Sequence, residues 1–260
     1  MSILSRLLWS TSLRSTSRAS KPYPVLPEYI DGEDNSSRDA SIFDQRSTTD
    51  ISEARMKHLD SLGLPLSRRT VLDVGAGVGH LAQYFVKLGS EVTCVDGRQS
   101  NIDRLRELYP GLRSQACDVQ TESLEGLGSF DIVFCYGLLY HLESPVPALR
   151  HIAAVCKELL LLETQVCDSV LPILRLGQEN SSSDQALTGF GGRPSPSYVV
   201  MVLRHLGFPH VYAPKVPPDH PDFRFHWAGF GATGKGGHST RCIFVASREK
   251  LKNERLASLV

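Results

Sequence analysis

Asp73, Gly75, Gly77 and Gly79 stand in the stretch Val71-Leu72-Asp73-Val74-Gly75-Ala76-Gly77-Val78-Gly79, where alternate glycines close a short apolar run. Such a turn lets backbone amides approach a ligand that a loop bearing Cβ atoms would exclude. The dinucleotide pattern needs its third glycine at position 80, and that residue is His80. A carboxylate two residues ahead of the first glycine also suits a cationic ligand better than a pyrophosphate. Asp96 ends a second apolar run, 19 residues after Gly77, where an acid can take both hydroxyls of a ribose. Ionised carboxylates at the ends of buried strands are costly unless partnered, so Asp73 and Asp96 point to a ligand. Asp118 ends a third short run, and His141 follows the fourth, at Gly137-Leu138-Leu139-Tyr140-His141. A neutral imidazole there could accept a proton near pH 7.

These residues need elements to hold them, and the spacing of apolar positions supplies them. A helix is expected over 49–62, with Ile51, Ala54, Met56, Leu59 and Leu62 apolar and Gly63 as its stop. A strand follows at 69–74, a helix at 80–88 closed by Gly89, and a second strand at 91–95. The alternation continues with a helix at 101–109, strands at 113–117 and 131–136, and a helix at 145–157 with Pro145 near its start. Leu159 to Leu162 is wholly apolar and reads as a strand buried on both faces. Strands and helices alternating at this spacing build a doubly wound α/β sheet of mostly parallel strands.

The glycine stretch, Asp96, Asp118 and the run from Phe130-Asp131-Ile132-Val133 to Tyr140-His141 fall in the order of a known family. Together they resemble class I S-adenosylmethionine-dependent methyltransferases, well over 68–165 and more loosely over 194–247. The resemblance implies a Rossmann-like, mostly parallel seven-stranded sheet with an antiparallel last strand, the tail 193–246 supplying the closing helix and hairpin. It implies S-adenosylmethionine as cofactor, held by Asp73, Gly75, Gly77, Asp96 and Asp118, with Ala76, Gly97, Val119 and Tyr136 completing the set. Asp118 sits where that family meets the adenine amino group, and strand four leads to the turn over the methionine moiety. Gly79 has a second reading, as the residue that lets a helix pack close to its strand.

Composition bounds the alternatives. With 260 residues, 41% of them apolar and 22% charged, the chain can bury a substantial core. Lys plus Arg and Asp plus Glu are 28 each, so the basic footprint of a nucleic-acid binder is missing. The longest aliphatic run, Leu159 to Leu162, is far too short to span a bilayer. Six scattered cysteines without a CxxC pair read as reduced core thiols, and His220, His226 and His238 lack the spacing of a metal site. No metal is therefore expected. Residues 1–40 read as an extension: an Arg- and Ser-rich amphipathic start without acids before Glu28, then a linker containing Pro22, Pro24 and Pro27. Residues 1–14 could associate weakly with a surface, and residues 1–20 resemble a mitochondrial transit peptide. The expected location is the cytoplasm, or the mitochondrial matrix if that segment is a transit peptide. The catalytic domain is expected over 41–250, with loop insertions at 164–195 and 214–240 above the carboxyl ends of the strands.

Methyl transfer from a sulfonium requires alignment above all, because the leaving thioether is neutral. A general base is needed only for an acceptor that must lose a proton, and His141 is the catalytic candidate for that role, with Tyr140 as a wall residue. The acceptor class expected is a small molecule, glycan and lipid-linked compounds included. An RNA methyltransferase is the alternative, with Arg68-Arg69 and Arg104 with Arg106 as local basic patches. A non-catalytic assembly factor of the same fold and a nicotinamide oxidoreductase are the remaining rivals. His80 and the absence of a Tyr/Lys or Cys/His set weigh against the last.

Overall fold

Val71, Leu72 and Val74 are fully buried in β1 (Thr70–Val74), as an apolar strand at the centre of a sheet must be. The computed structural model describes residues 46–179, 186–224 and 240–259. The expected extension at 1–40, residues 181–184 and the glycine- and histidine-rich stretch 226–238 lie outside the described residues.

β1 pairs in parallel with β2 (Glu91–Asp96) on one side and with β4 (Phe130–Tyr136) on the other. β3 (Arg113–Ala116) continues from β2, and β5 (Cys156–Val166) from β4, again in parallel. β9 (Thr240–Ser247) runs antiparallel to β5, and β8 (His210–Pro214) antiparallel to β9. A short strand, β10 (Leu256–Ser258), then pairs antiparallel with β8, giving the order β10-β8-β9-β5-β4-β1-β2-β3.

Alternating side chains send the core to both faces. Val71, Phe85, Leu105, Phe134 and Leu161 pack with Ile51 and Leu59 on the side of α1 (Arg46–Ser61), α2 (Ala82–Lys87) and α3 (Gln99–Leu108). Leu72, Val74, Val133 and Leu160 pack on the opposite side with Leu149 and Ile152 of α4 (Pro145–Val155) and Val199 and Leu203 of α5 (Pro196–His205). Helices on both faces are what a parallel sheet needs to be buried. All six cysteines are unpaired, and all but Cys242 are buried.

Three differences from the sequence reading have physical causes. Among the described residues the sheet has eight strands, not seven, because Leu256–Ser258 adds an edge beyond residue 250, where the domain was expected to end. Three residues with only Leu256 buried carry no periodicity to read; pairing with β8 makes the strand. β5 starts at Cys156, directly after α4, and continues past Leu162 through buried Glu163, Thr164 and Gln165, whose polar character hides the strand in the sequence. Within the expected loop insertion 164–195, β6 (Leu174–Gln178) and β7 (Phe190–Pro194) form an antiparallel hairpin with little apolar alternation. No described helix is long and apolar enough to cross a membrane.

Candidate functional site

The strand order reverses between β1 and β4, and in open α/β sheets a crevice opens at the carboxyl ends of the strands on either side of such a reversal. A cavity of about 640 Å³ lies there. Gly75, Ala76, Asp96, Gly97, Asp118, Val119, Tyr136 and His141 all line it. Asp73 and Gly77 do not.

The glycine turn is pinned from β2: the amides of Gly75 and Ala76 both donate to the Val95 carbonyl, at 2.9 and 3.0 Å. Gly75 has φ +76°, and a Cβ there would press into Leu138. Gly79 has φ +87° and lies against Leu105 and Tyr109 rather than on the cavity, so it serves close packing of α3. Asp96 ties the turn to the next helix. Its Oδ2 accepts the Gly77 amide at 2.9 Å, and its Oδ1 accepts the Arg98 amide at 2.9 Å and Asn101 Nδ2 at 3.0 Å. Asp118 organises its own turn, accepting from the Gln120 amide at 3.0 Å and from Thr121 Oγ1 at 3.2 Å.

Asp73 is buried, and its Oδ2 has no hydrogen-bond partner among the described residues. Burial, reinforced by the nearby Asp96 charge, pushes its carboxyl up to about 8. The unfolded chain loses this proton near 3.8, while the native chain keeps it to about 8. Between those values the unfolded state holds one proton fewer, so rising pH favours unfolding, by about 1.4 kcal/mol per pH unit from this group. Asp73→Asn is therefore expected to flatten the fall in stability between pH 5 and 8. Denaturant titrations of both proteins across that range check it; parallel curves would show that Asp73 is ionised in the native state.

The far side of the cavity holds groups that the sequence reading passed over. Arg55 on α1 and Arg241 on β9 both line it and both bond Glu163, which is fully buried in β5. Arg55 Nη2 donates to Glu163 Oε2 at 2.6 Å, and Arg241 Nη1 to Oε1 at 3.1 Å. Arg241 also donates to Asp222 Oδ2 at 3.2 Å and to the Tyr140 hydroxyl at 3.1 Å. Burial opposes the Arg241 charge, but Glu163 and Tyr140 outweigh it and hold the guanidinium protonated. Arg55 was legible: Ile51, Arg55 and Leu59 share one helical face, so a charge sits in the apolar stripe. Glu163 was legible too, as an acid at the end of the run Leu159 to Leu162. Arg241 and Leu187, which also lines the cavity, are brought there by tertiary structure alone.

His141 ends a 3₁₀ turn (Leu139–His141) after β4, and its Nδ1 lies 2.5 Å from Glu179 Oε2. Its ring packs 3.9 Å, centroid to centroid, from that of Tyr140. Tyr136 is buried on the cavity wall with its hydroxyl unpartnered among the described residues, and burial pushes its phenol up.

Residues 72–159 match the family model described as a methyltransferase domain. That segment is similar to methyltransferase domains. A ubiquinone biosynthesis O-methyltransferase of Albidiferax ferrireducens is 32% identical over 112 residues, covering 41% of this chain and 44% of that enzyme. The chain thus matches somewhat under half the length of that relative. Among solved structures, the N-terminal domain of EvdMO1 with SAH bound aligns at TM-score 0.58 and 19% identity, covering 76% of this chain and 81% of that one. A Burkholderia thailandensis 1,6-didemethyltoxoflavin-N1-methyltransferase, solved with its acceptor and S-adenosylhomocysteine, aligns at TM-score 0.53 and 21% identity, covering 80% of each chain. At these identities the structural likeness is one of fold. The match to the methyltransferase model begins at Leu72, inside β1, and ends at Leu159, inside β5, so it contains the glycine turn, Asp96, Asp118 and His141.

Proposed function

We propose that the chain transfers a methyl group from S-adenosylmethionine to a small-molecule acceptor, a hydroxyl oxygen being the acceptor atom. The observation that carries the reading is the convergence on one cavity of the glycine turn, Asp96, Asp118 and His141, all from the segment similar to methyltransferase domains. The name of the 32%-identical relative, an O-methyltransferase, supports oxygen as the acceptor.

The residues present fit the cofactor. Gly75 and Ala76 bring backbone to the cavity, and the buried Tyr136 hydroxyl, unpartnered among the described residues, is spare polar capacity on its wall. Asp96 would hold the ribose. A carboxylate offers about four acceptor positions, and three are taken from within the chain. A diol takes the fourth and displaces one donor, and Asn101 is the only side chain among the three. Asp118 and Val119 would flank the adenine, and Arg55 supplies the cation that an amino-acid carboxylate needs. When bound, S-adenosylmethionine supplies an activated methyl group and a neutral leaving thioether. The chain's own work is to align an acceptor beside Tyr140 and to receive its proton at His141 Nε2, the ring nitrogen that Glu179 leaves open.

Calorimetric titrations with S-adenosylmethionine and with NAD test the assignment. Binding of S-adenosylmethionine alone is expected. Tighter binding of NAD, or no binding of S-adenosylmethionine by folded protein, would overturn it.

A further inference from the structure

We propose that Glu179 is a positioning residue: it fixes His141 in the tautomer that carries its proton on Nδ1 and turns a free Nε2 lone pair to the cavity. The inference deepens the reading of His141 as proton acceptor and rests on it for its catalytic meaning.

Glu179 directly follows β6, 38 residues beyond His141, and only the packing of the β6–β7 hairpin brings the two together. Gly191 of β7 lies against the Tyr140 carbonyl and Glu179, and a Cβ there would collide with both. The Glu179 side chain is 5% exposed, and its two oxygens have different partners. Oε1 accepts from Arg193 Nη2 at 2.9 Å, and Oε2 meets His141 Nδ1 at 2.5 Å. Arg193 is itself anchored, its Nε donating to Gln165 Oε1 on β5 at 3.2 Å.

Chemistry then leaves one arrangement for the neutral ring. Burial favours protonated Glu179, but its hydrogen bond with His141 and the adjacent Arg193 guanidinium favour the ionised carboxyl. An ionised carboxylate only accepts, so Nδ1 must donate, and the proton of a neutral imidazole is thereby spent on Glu179. Nε2 is left as an acceptor on a residue that lines the cavity. Without Glu179 either tautomer is open to the ring, and a ring with Nε2–H cannot take a proton from an acceptor. The hairpin thus adds Glu179 to a site whose other residues come from the ends of β1, β2, β3 and β4, from α1 and from β9.

The tautomer can be read directly from imidazole nitrogen resonances of ¹⁵N-histidine-labelled full-length protein without cofactor, at a pH where the ring is neutral. His141→Asn assigns the signal. Wild type is expected to show Nδ1–H. In Glu179→Gln the amide oxygen is drawn to Arg193, which only donates, so the amide NH₂ faces Nδ1. Nδ1 must then accept, and the proton moves to Nε2. Adding Arg193→Met frees the amide to turn its oxygen toward His141, and Nδ1–H is expected to return. A wild-type ring with Nε2–H overturns the proposal without any variant, and so does a folded Glu179→Gln protein that keeps Nδ1–H. Because the measurement needs neither cofactor nor acceptor, its failure is distinct from a failure of the methyl-transfer reading, which the calorimetry reports.

Discussion

Asp96→Ala is expected to weaken S-adenosylmethionine binding on the order of 100-fold, measured by calorimetry on the folded variant. The substitution removes a charged acceptor for two hydroxyls, and hydrogen bonds to charged groups are each worth about 1.5–3 kcal/mol. At about 1.4 kcal/mol per tenfold, two such bonds give that loss. The same carboxylate holds the Gly77 amide, the Arg98 amide and Asn101, so the variant also loosens the glycine turn. Asp96→Asn separates the two contributions. It keeps an acceptor oxygen while removing the charge, and should retain more stability than the alanine variant while still binding more weakly than wild type. Unchanged affinity in folded Asp96→Ala would falsify the cofactor assignment.

His141→Asn is expected to lower turnover at least about 30-fold, while affinity for S-adenosylmethionine stays within about threefold. General base catalysis is worth typically 10²–10⁴ in rate, and an acceptor hydroxyl must lose its proton as the new bond forms. His141 lies on the same cavity as Asp96 and the glycine turn, yet its Nδ1 is committed to Glu179, so one nitrogen is left for this task. The wild-type turnover–pH profile should rise with the loss of one proton, and this limb should vanish in the variant. Wild-type turnover in His141→Asn would leave alignment as the whole mechanism. A parallel loss of cofactor affinity would instead place His141 in the cofactor's pocket.

The sequence by itself determined the doubly wound sheet and the half of the candidate site that lies at the ends of β1, β2, β3 and β4. β1, β2 and β4 are short apolar runs that end in a glycine turn, Asp96 and Gly137. Each such residue sits at a strand's carboxyl end, so local spacing already carries its position in space. The same locality made Gly79 readable as a packing glycine, which its contact with Leu105 now explains. Arg55 and Glu163 were also written in the sequence, as charges within apolar patterns.

Tertiary structure alone decided the other half. Glu179, Arg193 and Arg241 lie 38, 52 and 100 residues beyond His141; the first two stand in polar, glycine-rich segments without a period of 2 or 3.6, and the third opens an apolar strand whose neighbours local pattern does not give. Their roles depend on where the β6–β7 hairpin and β9 dock, and docking is set by contacts between distant elements, such as Gly191 against the Tyr140 carbonyl. The partner of a buried charge is therefore hidden from local pattern. The sequence shows that Glu163 must be compensated, since an unpaired buried carboxylate is costly. Only the fold shows that Arg55 and Arg241 do it, from a helix and from an antiparallel strand that close on β5.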